Sequence, residues 1–129
     1  MKYTFYIICA LVLCCSCQKS WEERCTQEAR EITETTCPQL VYNGIWQDSL
    51  TYNAQKNMFT YYYRVEGEID NPAIFEQEKE SMTASLKKEI INSIDLKPKK
   101  DRGVSFQCIY VSGSTGQIYL DFCCTPADY

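Results

Sequence analysis

The 129-residue chain contains no histidine. Ser-His-Asp and Cys-His catalysis are thereby excluded, together with histidine-based zinc sites. Walker-type and dinucleotide-binding glycine loops are also missing. Gly113-Ser114-Thr115-Gly116 lacks the lysine and the following helix that a phosphate loop requires, and reads as a hairpin turn. Basic excess is missing as well: 13 Lys and Arg stand against 17 Asp and Glu, a formal charge of −4. Nucleic acid, which wants a basic face, is a poor partner for such a chain. Lys97, Lys99 and Lys100, interrupted by Pro98, are too few for a polybasic membrane patch. No apolar run reaches the roughly 20 residues of a membrane span. There are no repeats and no low-complexity segments. The carboxylates Glu22, Glu23, Glu76, Glu78 and Glu80 fall on helix faces, and a domain this small offers little of the cleft that paired catalytic carboxylates need. No enzyme activity, cofactor or metal is expected.

What is present starts with the leader. Met1–Cys17 reads MKYTFYIICALVLCCSC: Lys2, an apolar run Phe5–Leu13, then a cysteine cluster before a polar segment. A basic start, a short apolar core and a small residue at the cut make a secretory signal. Leu13-Cys14-Cys15-Ser16-Cys17 resembles a bacterial lipobox, with Ser16 before the cut and Cys17 receiving the lipid. Cys14 departs from the usual leucine, Cys15 is an alternative acceptor, and a plain secretory signal or an uncleaved anchor are the other readings. The resemblance implies a cleaved signal over 1–16, a lipidated tether over 17–20, and one small domain over 21–129. Loss of Lys2 with the leader makes the mature chain one unit more acidic. Gln18–Glu23 is similar to the charged signals behind the lipid cysteine of some Gram-negative surface lipoproteins. The expected address is therefore an outer-membrane lipoprotein of a Gram-negative bacterium, facing the periplasm or the cell surface.

Beyond the leader, Trp21–Thr36 reads as a helix. Trp21, Cys25, Ala29 and Ile32 recur at three- and four-residue steps, and Cys37-Pro38 stops it. Leu40–Tyr52 reads as a strand with a break at Asn43-Gly44, in which Trp46, Leu50 and Tyr52 alternate with Gln47, Ser49 and Thr51. Met58–Glu66 is the clearest strand, with Phe59, Tyr61, Tyr63 and Val65 on one face. Asp70-Asn71-Pro72 opens a second helix with the stripe Phe75, Met82, Leu86 and Ile90. Val104–Ser112 and Gln117–Cys124 form a hairpin. Pairing Ser112 with Gly116 sets Cys108 opposite Leu120 and Phe106 opposite Phe122, which aligns the apolar faces. The order α-β-β-α-β-β predicts an α+β fold: a four-stranded antiparallel sheet with two helices packed on one face.

Five cysteines follow the leader: Cys25, Cys37, Cys108, Cys123 and Cys124. An exported chain meets an oxidising compartment, so these are candidate disulfide cysteines, although an odd number leaves at least one outside an intrachain pair. Cys25 and Cys37 lie about 18 Å apart on one helix, too far for a bridge. Cys25, on the buried stripe, favours Cys108 or Cys124. The neighbours Cys123 and Cys124 point to opposite faces of a strand. Read functionally they are a redox or soft-metal pair; read structurally they are two independent cysteines.

The open sheet face collects Tyr62, Arg64, Tyr119 and Asp121, a candidate binding patch, because exposed aromatics beside an arginine are the usual anchors of protein interfaces. The order of elements is similar to a diffuse set of small exported bacterial domains of unknown function, through Cys37-Pro38, Tyr61-Tyr62-Tyr63 and Thr125-Pro126-Ala127-Asp128. That resemblance implies a fold and an exported address, and transfers no catalytic residue. The resulting expectation is a non-enzymatic, lipid-anchored envelope or cell-surface protein. It would bind the membrane through its lipid and a protein or surface ligand through the sheet face. The alternative is a thiol-dependent redox or metal-handling periplasmic protein using Cys123 and Cys124.

Overall fold

A computed structural model describes residues 19–129; the leader, its cut and Cys17 lie outside the described residues. Helix α1 (Trp21–Glu31) begins at Ser20, whose Oγ accepts the Glu23 backbone N–H at 3.2 Å, with Glu22 and Glu23 in the first turn. It buries Cys25 and Ala29, then runs into a π-turn, Ile32–Thr36. Strands β1 (Gln39–Tyr42), β2 (Ile45–Asn53) and β3 (Met58–Val65) follow. Next come α2 (Pro72–Asn92), capped by Asn71 with Pro72 in its first turn, and a short α3 (Lys97–Lys100). Strands β4 (Ser105–Ser112) and β5 (Ile118–Cys124) end the chain's regular structure. Among the described residues no helix is long and apolar enough to cross a membrane.

The fold is α+β, as expected, but the sheet has five strands in the order β1-β2-β3-β4-β5. The expected break at Asn43-Gly44 is a full reversal that splits one strand into β1 and β2. Gly44 makes this possible. Its φ is +82°, and a Cβ there would meet the Glu66 carbonyl oxygen at 2.7 Å. The sheet is also not wholly antiparallel, because β3 and β4 run parallel, Met58 beside Ser105 through Val65 beside Ser112. Helix α2 is the cause. Its 21 residues span about 31 Å, enough to carry the chain back to the start of β3, so β4 must run the same way.

Both long helices lie on one sheet face. One core cluster joins Cys25 and Ala29 of α1 to Leu50, Phe59, Phe106 and Cys124, with Ile90 from α2. A second joins Phe75 of α2 to Val65, Cys108, Tyr110, Tyr119 and Leu120. The β4–β5 register differs from expectation. Cys108 faces Phe122 and Phe106 faces Cys124, with a bulge between the Tyr110–Leu120 and Val111–Ile118 pairs. A two-residue offset preserves alternation and so keeps Phe106, Cys108, Leu120 and Phe122 on the core side, which is why alternation alone could not choose between the registers.

Candidate functional site

Two β-bulges decide which side chains reach the open sheet face. In β2 the extra residue falls between Gln47 and Ser49, so Trp46 pairs with Arg64 and Gln47 with Tyr63. Trp46, expected in the core, thereby joins the open face, and Gln47 moves to the other side. In β5 the bulge turns Tyr119 inward. Its ring stacks on Phe75 at 4.7 Å, it is only 8% exposed, and its hydroxyl donates to Asp70 at 2.6 Å. Tyr62, Arg64 and Asp121 share the open face; Tyr119 does not, and Ile118 is exposed in its place. Each bulge shifts alternation by one residue from that point on.

The open face is electrostatically closed on itself. Arg64 Nε donates to both Asp48 oxygens, at 3.2 and 3.1 Å, and its guanidinium also meets Glu66. The same group lies 5.8 Å from the centre of the Trp46 ring. Hydrogen bonding to Asp48 raises the Arg64 pKa further. Asp121 accepts from Gln107 Nε2 at 2.8 Å, and Thr60 Oγ1 donates to Gln107 Oε1 at 3.0 Å. Tyr62 stands 36% exposed beside this ladder. An arginine held by two carboxylates has little charge left to offer a partner.

The core side leaves a larger opening. Helix α2 is held near its ends by buried Phe75 and Ile90, while Met82 and Leu86 between them are only half-buried. Beneath that middle stretch lies a cleft of about 730 Å3 between α2 and the sheet. Ile45, Tyr63 and Tyr110 form its floor, Ile69 and Phe75 close one end, and Met82 and Leu86 form its helical wall. Tyr63 and Tyr110 stack at 4.6 Å, and burial drives both phenols well above their ordinary range. Glu78 and Glu89 rim the cleft, with exposed Val41, Tyr42 and Ile74 at its mouth. The sequence showed α2's apolar stripe but not that its middle has only partial cover. Phe75-x6-Met82-x3-Leu86-x3-Ile90 looks the same whether its centre meets a sheet or an opening.

The cysteines are scattered. Among the described residues all are free thiols: Cys25, Cys108 and Cys124 buried, Cys37 half-buried, Cys123 exposed. Cys25 and Cys124 share one core cluster, while Cys108 belongs to the other. Cys123 faces outward with its Sγ 3.9 Å from Met58 Sδ, on the side of the sheet opposite Cys124. Desolvation raises every one of these thiols, Cys108 to about 12, so none is primed as a nucleophile. Among the described residues no three Cys, Asp or Glu side chains converge as a metal site would require.

A family model described as a domain of unknown function, DUF8479, matches residues 20–120. The chain belongs to the DUF8479 family. No curated protein matches it. Solved structures with a similar fold do exist. One is a candidate secreted protein of Pseudomonas aeruginosa, with TM-score 0.67 and 10% identity over 86% of this DUF8479 chain and 98% of the other. Another is the EpsS pilotin of the Vibrio vulnificus type 2 secretion system, with TM-score 0.59 and 17% identity over 83% and 89%. The third is the type II secretion system pilotin AspS of Vibrio cholerae, with TM-score 0.56 and 18% identity over 84% and 91%. At these identities what the DUF8479 domain shares with all three is its fold.

Proposed function

We propose that this DUF8479 protein is a non-enzymatic envelope lipoprotein that docks a partner protein in the cleft between α2 and the sheet. Its leader over 1–16 is removed, Cys17 carries the lipid, residues 17–20 are a tether, and 21–129 form the working domain in the outer membrane. The observation that carries the reading is the half-covered middle of α2. A 21-residue helix that buries only Phe75 and Ile90 leaves an aromatic-floored apolar cleft, and such a surface is where protein partners bury their anchors. The acidic rim of Glu78 and Glu89 favours a partner segment whose apolar anchors are flanked by Lys or Arg. Two of the similar folds belong to pilotins of type II secretion systems, which supports a helper role in an envelope assembly. The open-face patch is the weaker surface because Arg64 is already neutralised. The thiol reading loses its basis, since Cys123 and Cys124 face opposite ways and neither is activated.

Photo-crosslinking amino acids placed at Met82 and, separately, at Tyr62 in living cells test this. Met82 is expected to give one discrete protein adduct that Leu86→Asp abolishes, and Tyr62 none. Adducts from Tyr62 alone would move the site to the open face. Silence at both positions would remove the docking proposal.

A further inference from the structure

Three segments far apart in sequence meet at the end of the sheet where β3 begins. They are the start of α1, the β2–β3 turn at Ala54–Asn57, and the stretch from α3 to Gly103. Asn57 ties two of them together: its Nδ2 donates to the Arg102 carbonyl at 3.0 Å, and its own carbonyl accepts from Ser105 N at 2.9 Å. Trp21 ties in the third. The Arg102 guanidinium lies 4.6 Å from the centre of its ring and that of Arg24 5.6 Å. The indole packs against the first core cluster.

The cations at this end differ in how they are engaged. Lys97 pairs with Asp101, Lys99 with Glu28, and Lys100 donates to the carbonyls of Ile90 and Ile91 at the end of α2. Arg24, Lys56 and Arg102 are exposed, and none is among the ion pairs of the described residues. Among the described residues Lys19 meets only the Gln27 amide. Glu22 and Glu23 stand on the same first turn of α1, but the cations outnumber them. Among the described residues Arg30, Lys79 and Lys88 on the helices are also outside the ion pairs, but in a chain of net charge −4 Arg24, Lys56 and Arg102 are the ones that share the Trp21 end.

That end is also where the proposed anchor attaches. Trp21 follows Cys17 by four positions, a reach of at most about 14 Å. We propose that Trp21, Arg24, Lys56 and Arg102 form a face that settles on the anionic phospholipid headgroups of the leaflet holding the lipid. The proposal rests on the lipoprotein reading above. Clustered Lys and Arg are drawn to an anionic surface; the Trp21 N–H is itself buried, so the indole serves as the apolar base on which Arg24 and Arg102 are held. The acidic remainder of the domain is repelled from the same surface, which fixes the orientation. The cleft, lined by Ile45, Tyr63 and Ile69, opens toward the other end of β3 and so faces away from the bilayer.

The test uses the mature chain purified from membranes, with Trp46→Phe so that Trp21 is the sole tryptophan reporter. It is placed in vesicles of phosphatidylethanolamine and phosphatidylglycerol, or of phosphatidylcholine alone, each containing lipid brominated near the headgroup. Trp21 quenching is expected only in the anionic vesicles, to disappear in 0.5 M salt (on the order of several-fold more screening than physiological), and to be lost in Arg24→Gln/Arg102→Gln with an unchanged melting curve. Equal quenching in both vesicles, or quenching indifferent to the double substitution, would overturn the proposal. Intact mass reports the anchor separately. If no acyl group is present, the lipoprotein reading falls, and co-flotation of the same protein still decides the headgroup face. About tenfold preference for anionic vesicles supports it, and none refutes it.

Discussion

Asp70 shows how much one side chain organises. It sits just before α2, yet its carboxylate accepts from the Ser112 and Ser114 hydroxyls and from Tyr119, each at 2.6 Å. The start of α2 is thereby tied to the β4–β5 turn. Those hydrogen bonds, that from Ser112 foremost, hold its pKa down to about 2, from 3.8. Because the folded value is the lower one, Asp70 stabilises the fold above the unfolded pKa. That contribution is lost as pH falls from about 4 toward 2. Asp70→Asn should therefore lower the urea midpoint at pH 7 while leaving it close to wild type at pH 2. A gap that persists unchanged to pH 2 would show that the charge is not what matters. The same residue illustrates what sequence leaves out. Asp70 and Asn71 both read there as candidate helix caps, of which Asn71 does the capping, and nothing in the local pattern points Asp70 to partners more than 40 residues away.

At the scale of elements, the π-turn after α1 and the shortness of β1 are one arrangement. Strand β1 pairs with β2 only from Ile45 to Gln47, so the outer edge of β2 is bare by Leu50. Thr33, in the π-turn, covers it: its hydroxyl donates to the Leu50 carbonyl and accepts from the Leu50 N–H, both at 2.9 Å. Thr33→Val, nearly the same shape, should leave both groups unpaired and cost about 1–3 kcal/mol, read as a lower urea midpoint with an unchanged slope. The helices, the β2–β3 hairpin and the apolar faces were legible because each announces itself within ten or twenty residues. The parallel pairing of β3 and β4 was not, since it depends on where α2 returns the chain. The bulges were hidden too: Ile45-Trp46 and Ile118-Tyr119 are adjacent apolar pairs, and alternation cannot say which member faces in. Those two ambiguities are why the candidate patch gained Trp46 and lost Tyr119.

For the whole molecule, the sequence gives the amount of charge and the structure its distribution. Lys97, Lys99 and Lys100 looked like a broken basic run, and in space they are largely neutralised or used as caps. The free cations gathered at the Trp21 end come instead from Arg24, Lys56 and Arg102, which no window along the chain brings together. The sheet divides in a comparable way. Strands β1, β2 and β3 with α1 form one piece, β4 and β5 a second, and the seam between them pairs residues 47 apart, as in Thr60 with Gln107. The connection passes through Ile94, which is 85% exposed. A chain severed after Ile94 should therefore rebuild the fold from two separately produced fragments, with native circular dichroism appearing only on mixing; failure to reassociate would mean that the covalent link is required. The seam makes the protein, in effect, a dimer of unlike halves that happen to share one backbone. On that expectation its last assembly step would be closer to docking than to folding, with the edge of β3 receiving a hairpin made from the C-terminal part of the chain.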